Sequence, residues 1–196
     1  VNGNNNFLFF INYYFVKIFG FSYMKFRIFN SVIIFLSTLI FLKVSKELFG
    51  KTVSYFSTIS FMMFAIIQPL YLVPYTDTYC ILPLFLSIYF ITVCIKSKRT
   101  LFLIFSSIGS AFFLAIAYLL RPSSITFIIA IFLLLLINLN NKDVRLKSII
   151  SFPPFILTAI LTLSMFNLFV SNQKIVKIDK SRELPMAHFI LMGSFG

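Results

Sequence analysis

The sequence predicts an all-α, polytopic transmembrane bundle of about six spans with an N-terminal interfacial helix. Three observations predict it. Hydrophobic residues make up 60% of the 196 positions and charged residues only 11%, against about 45–50% and 25% in soluble domains. Six apolar runs follow one another with short polar breaks, at Ile28–Leu42, Val53–Leu72, Tyr79–Ile95, Leu101–Leu120, Ile125–Leu139 and Ile149–Val170. Runs of about 17–25 residues match the hydrocarbon thickness of a bilayer at 1.5 Å per residue. Finally, the formal net charge of +12 is concentrated in the breaks. Bases that flank apolar helices sit at lipid headgroups, so the charge points to the bilayer as partner and not to nucleic acid.

Taken in order, Asn2-Gly3-Asn4-Asn5-Asn6 is a polar lead-in suited to a turn or cap. Phe7–Phe19 is apolar but only 13 residues long. It reads as an interfacial helix ended by Gly20. Residues 1–27 therefore form the end of an outer loop with that helix, 28–170 the six spans, and 171–196 the start of an outer segment, all within one transmembrane domain. Pro153-Pro154 near the start of the last span is expected to bend or break it, because each proline removes a backbone donor.

The breaks alternate in charge. Lys43, Lys46 and Lys51 fall in the first, Lys96, Lys98 and Arg99 in the third, and Lys142, Arg145 and Lys147 in the fifth. The second has no base and the fourth has only Arg121. The positive-inside rule places the first, third and fifth breaks in the cytoplasm. Lys17, Lys25, Arg27 and the bases after Asn172 argue against that orientation. The internal breaks are the better guide, since both ends of the sequence look truncated. There is no Trp, and Tyr13, Tyr14, Tyr23, Tyr71, Tyr75 and Tyr79 form the aromatic belt expected on the outer side.

Soluble-enzyme signatures are absent: no phosphate-binding glycine loop, no nucleophile elbow, no His-rich metal pair. Cys80 and Cys94 lie about 21 Å apart along one helix, too far to bond to each other within it, and no metal-ligand spacing occurs. Among five acidic residues, Asp77 stands out, in Pro74-Tyr75-Thr76-Asp77-Thr78-Tyr79. A carboxylate ringed by Tyr and Thr at a bilayer surface can bind a metal, a sugar hydroxyl or a proton, or it can simply cap the next helix. Arg121, followed by Pro122-Ser123-Ser124, has the planar fork that clamps phosphate, or it snorkels to headgroups. His188 is the single histidine. Without a second ligand or base nearby, a structural role competes with an active-site one.

The ordered features Lys17-Ile18-Phe19-Gly20, Lys46-Glu47-Leu48-Phe49-Gly50, Pro74-Tyr75-Thr76-Asp77 and Leu120-Arg121-Pro122 resemble the multi-spanning glycosyltransferases of the GT-C fold. That class includes protein mannosyltransferases and lipid A aminoarabinose transferases. The closing Pro185-Met186-Ala187-His188-Phe189-Ile190-Leu191-Met192-Gly193 is similar to a run in Gram-positive members. The resemblance implies an enzyme that moves a sugar from a polyprenyl-phosphate donor to a glycan, lipid or protein acceptor on the outer face of the cell membrane. It implies that the catalytic base lies upstream, in the first outer loop that follows the first span, neither that span nor most of that loop being present here. The sequence is thus expected to be a fragment, inactive alone. Asp77 then occupies the acidic position that supports the active-site cavity and in some members a divalent metal. Arg121 matches the basic position suited to the donor phosphate, and His188 the segment that can line the acceptor side. Two other readings stand beside this one. A transporter or flippase subunit fits the proline-interrupted helices, and a cell-surface glycan polymerase or ligase also uses lipid-linked sugars.

Overall fold

Each of the six apolar runs falls on a helix. The computed structural model describes residues 6–68, 75–97, 99–138 and 142–172. Helices α1 (Asn6–Phe19), α2 (Tyr23–Phe49), α3 (Lys51–Ile67), α4 (Thr76–Lys96), α5 (Thr100–Leu120), α6 (Ile125–Asn138) and α7 (Lys142–Asn172) follow in order, with a 3-10 turn at Pro122–Ser124 before α6. No strand occurs among the described residues. Four helices are long and apolar enough to cross a membrane: α2, α4, α5 and the Arg145–Asn172 part of α7. The other two predicted spans are shorter. At 17 and 14 residues, α3 and α6 cover about 26 and 21 Å against a hydrocarbon core of about 30 Å. The ends of those two runs, at 69–72 and 139, lie outside the described residues.

The chain turns where glycine permits it. Gly20 and Gly50 have φ of 75° and 83°, left-handed values that a Cβ disfavours. The first ends α1, with the Gly20 N–H bonded to Val16 O at 2.8 Å and the Lys25 ammonium donating to the exposed Phe19 carbonyl. This is a common way to satisfy a helix C-terminus. Gly50 separates α2 from α3.

The antiparallel pair α4 and α5 forms the centre. Their contact is built from small residues, which let backbones approach closely where no hydrophobic force separates helix from lipid. Ser107, Ser110, Ala111 and Ala117 are fully buried on α5, and the Ser87 and Ser110 hydroxyls meet at 3.1 Å. Gly109 leaves room for the Phe90 ring, which stacks on Phe113 at 5.7 Å and 9°. Helix α7 lies along α5 in the same direction. The Ser107 hydroxyl donates to Ser151 O, and Ser151 Oγ is 3.1 Å from Cys94 Sγ on α4. Helix α2 flanks α4, also in the same direction, through Phe29 with Tyr79 at one end and Lys96 with Glu47 at the other. Helix α3 leans on α2 through Phe41 and Phe61, 5.3 Å apart. Its outer face, with Phe56, Met63, Ile66 and Ile67 exposed, is left for lipid.

The break expected at the proline pair is not seen: α7 continues through Pro153 and Pro154. The two rings remove the donors that would reach the Ile149 and Ile150 carbonyls. Ser148, Ser151 and Phe155, buried on either side of the pair, anchor the helix to its neighbours across the defect, as membrane helices commonly allow.

Helix α1 packs across one end of the bundle. Phe15 meets Phe26 at 4.7 Å and Phe29 at 4.9 Å, and Phe10 meets Phe169 on α7 at 5.3 Å. The helix directions then sort the charges. Lys43, Lys46, Lys51, Lys96, Arg99, Arg145 and Lys147 gather at one end, and Asp77 and Arg121 at the end that carries α1.

Candidate functional site

Asp77 is the second residue of α4, whose N-cap is Tyr75. It therefore lies inside the first turn and is not the N-cap; the N-cap Tyr75 makes no side-chain capping hydrogen bond. A carboxylate in a first turn is still favoured by the positive end of the helix dipole. Arg121 is the C-cap of α5, with φ −143° and ψ 105°. Pro122 dictates that extended geometry, because the proline ring clashes with a helical residue before it. The Arg121 N–H still closes the helix on Ala117 O at 2.8 Å, while its side chain swings back over α4. There Nη1 pairs with Asp77 Oδ1. The two side chains are 50% and 30% exposed, so the pair is half in water. That exposure leaves the pair within reach of a ligand from the water side.

A second layer fixes the first. Cys80, one turn below Asp77, is 2% exposed. Its Sγ lies 3.3 Å from Ser124 Oγ and 3.6 Å from Ala117 O. The Ser124 hydroxyl also reaches Ala117 O at 3.4 Å. The turn after Arg121 is thus pinned to α4, which holds the guanidinium over the carboxylate. Ser124 consequently faces the interior, not the ligand side that its place beside Arg121 suggested.

Under this layer the interior is apolar. A cavity of about 210 Å3 lies between α1, α2, α4 and α5, walled by Ile11, Phe29, Ile33, Tyr79, Leu82 and Leu120 among others. Tyr79 is nearly buried and donates its hydroxyl to Asn12 Oδ1 at 3.3 Å, tying α1 to the wall. Leu120 and Tyr79 carry the cavity to within two residues of Arg121 and Asp77. The expected aromatic belt is at this end: Tyr13 and Tyr14 on α1, Tyr23 at the start of α2 with Arg27 over its ring at 5.8 Å, and Tyr75 and Tyr79 at the start of α4. Tyr71 lies outside the described residues.

Asp77 and Arg121 are therefore brought together, whereas His188 lies outside the described residues. Sequence reasoning missed Asn12, Cys80 in its packing role, and the cavity. No group of three or more His, Cys, Asp or Glu gathers among the described residues. A metal at Asp77 would have to compete with Arg121 for its only described carboxylate.

No curated protein and no solved structure matches the chain. A family model described as "Conserved hypothetical integral membrane protein" matches residues 1–196. That match spans the whole chain and agrees with four helices of membrane-crossing length: the protein is a multi-pass membrane protein and belongs to this conserved integral membrane family.

Proposed function

We propose that this chain is part of a membrane glycosyltransferase that takes a sugar from a polyprenyl-phosphate donor at the outer surface. The observation that carries the reading is the half-exposed Asp77–Arg121 pair at the end of α4 and α5 where Tyr79 and Leu120, their near neighbours in sequence, line an apolar pocket. A half-exposed cation near an apolar pocket complements a lipid phosphate, with its anionic head and hydrocarbon tail. In the transfer, an acceptor oxygen bonds to the anomeric carbon as the carbon–phosphate oxygen bond breaks. The electron pair leaves on the carrier phosphate, and the acceptor's proton passes to a general base. Arg121 offers N–H donors where that negative charge grows, an arrangement worth more in the transition state than in the ground state. Asp77 holds the guanidinium in place. The transporter reading loses support, since α4 and α7 run unbroken through Pro83, Pro153 and Pro154, while coupling sites favour discontinuous helices.

The test uses the complete natural protein in its own membranes, with a radiolabelled polyprenyl-phosphate sugar. Arg121→Ala is expected to lower turnover roughly 10²–10³-fold, the usual cost of one charge-stabilising donor, with expression unchanged. Wild-type turnover in that variant refutes the role.

A further inference from the structure

At the end opposite Asp77 and Arg121, the cations fall into two groups, by partner, that the sequence does not separate. Three are engaged by the protein. Lys43 sits over the Tyr89 ring at 4.6 Å, Lys96 bonds Glu47 Oε2 at 2.6 Å and Glu47 O at 2.7 Å, and Lys147 donates to Ile95 O at 3.0 Å. These contacts knit the ends of α2, α4 and α7 together. Four others, Lys46, Lys51, Arg99 and Arg145, are exposed and meet no acidic side chain within ion-pair distance among the described residues. They come from four segments: α2, α3, the α4–α5 connection and α7. Leu48, Phe49, Leu101, Phe102 and Leu146, close to them in sequence, are exposed as well.

We infer that the second group, Lys46, Lys51, Arg99 and Arg145, forms a binding surface for anionic glycerophospholipid of the inner leaflet. Each exposed base is one or two residues from an exposed apolar side chain, as an amphiphile with a phosphodiester head and acyl tail requires. A soluble acidic partner would leave Leu101, Phe102 and Leu146 in water. A neutral lipid would leave the four cations without counter-charge. The engaged group ties together the helix ends that carry the four bases and, with its charges already met by the protein, contributes little to lipid choice.

The test titrates the full-length protein in mild detergent with fluorescent phosphatidylglycerol and, separately, phosphatidylcholine. The wild type is expected to bind phosphatidylglycerol more tightly, with a preference that falls as salt rises. Each of Lys46→Gln, Lys51→Gln, Arg99→Gln and Arg145→Gln is expected to weaken phosphatidylglycerol about fivefold, the effect of one base near an anionic surface. The four together should abolish the preference without changing the melting temperature. Lys96→Gln should do the reverse, lowering the melting temperature and keeping the preference. Equal binding of the two lipids by the wild type overturns the inference, as does a preference that survives in the fourfold variant. Displacement of phosphatidylglycerol by micromolar polyglutamate peptide would also overturn it, in favour of an acidic protein partner.

Discussion

Breaking the Asp77–Arg121 pair one member at a time measures how the site is held. In a medium of effective dielectric about 20, opposite charges in contact attract by several kcal/mol. These side chains, however, are 50% and 30% exposed, and solvent screening brings half-exposed pairs down to about 0.2–1 kcal/mol. Asp77 also sits in the first turn of α4, where a carboxylate gains about 0.3–1 kcal/mol from the helix dipole. Asp77→Asn should therefore cost about 1–1.5 kcal/mol and Arg121→Gln about 0.5–1 kcal/mol, with a coupling in the double-mutant cycle of about 0.5–1 kcal/mol. Unfolding by sodium dodecyl sulfate in mixed micelles reads all three values, and raising the salt concentration should reduce the coupling. A coupling of zero refutes the pair. A salt-insensitive coupling above about 3 kcal/mol would mean a buried pair, and with it a site closed to ligands.

Two other substitutions test the packing of the central helices. A Cβ added at Gly109 meets the Phe90 ring at 3.1 Å, so Gly109→Ala should cost about 1 kcal/mol or less and Gly109→Leu about 1–3 kcal/mol, an order that melting temperatures in detergent will show. Ser107→Ala removes the hydroxyl that donates to Ser151 O and should cost only about 0.6 kcal/mol, the mean for such bonds between membrane helices, measured by the same unfolding titration.

Much of this arrangement was legible in the sequence. Apolar runs located every long helix because lipid demands unbroken apolar segments with internally satisfied backbones. Counting spans between Asp77 and Arg121 placed them at one end, and alternating lysines placed the other. Contact was not legible: nothing local to Tyr75–Tyr79 or Leu120–Ser124 says that Nη1 of one reaches Oδ1 of the other. The same holds for Tyr79 with Asn12, 67 residues apart, and for Cys80 with Ser124, 44 apart. Composition makes Ser124 a phosphate ligand as readily as an interior hydroxyl, and only the packing of α4 against the turn decides. The proline pair misled because local chemistry predicts a break, while Ser148, Ser151 and Phe155 hold α7 through tertiary contact. Hydropathy alone did not separate the crossing helices from the shorter α3 and α6, of 17 and 14 residues.

The most direct measurement is side-specific labelling with a membrane-impermeant maleimide. Native Cys80 and Cys94 are each 2% exposed and should stay unlabelled in the folded protein. Single Asp77→Cys and Arg121→Cys variants should react from the same side of sealed vesicles, and Lys46→Cys and Arg99→Cys only from the other. Labelling of positions 77 and 121 from opposite sides would contradict the account.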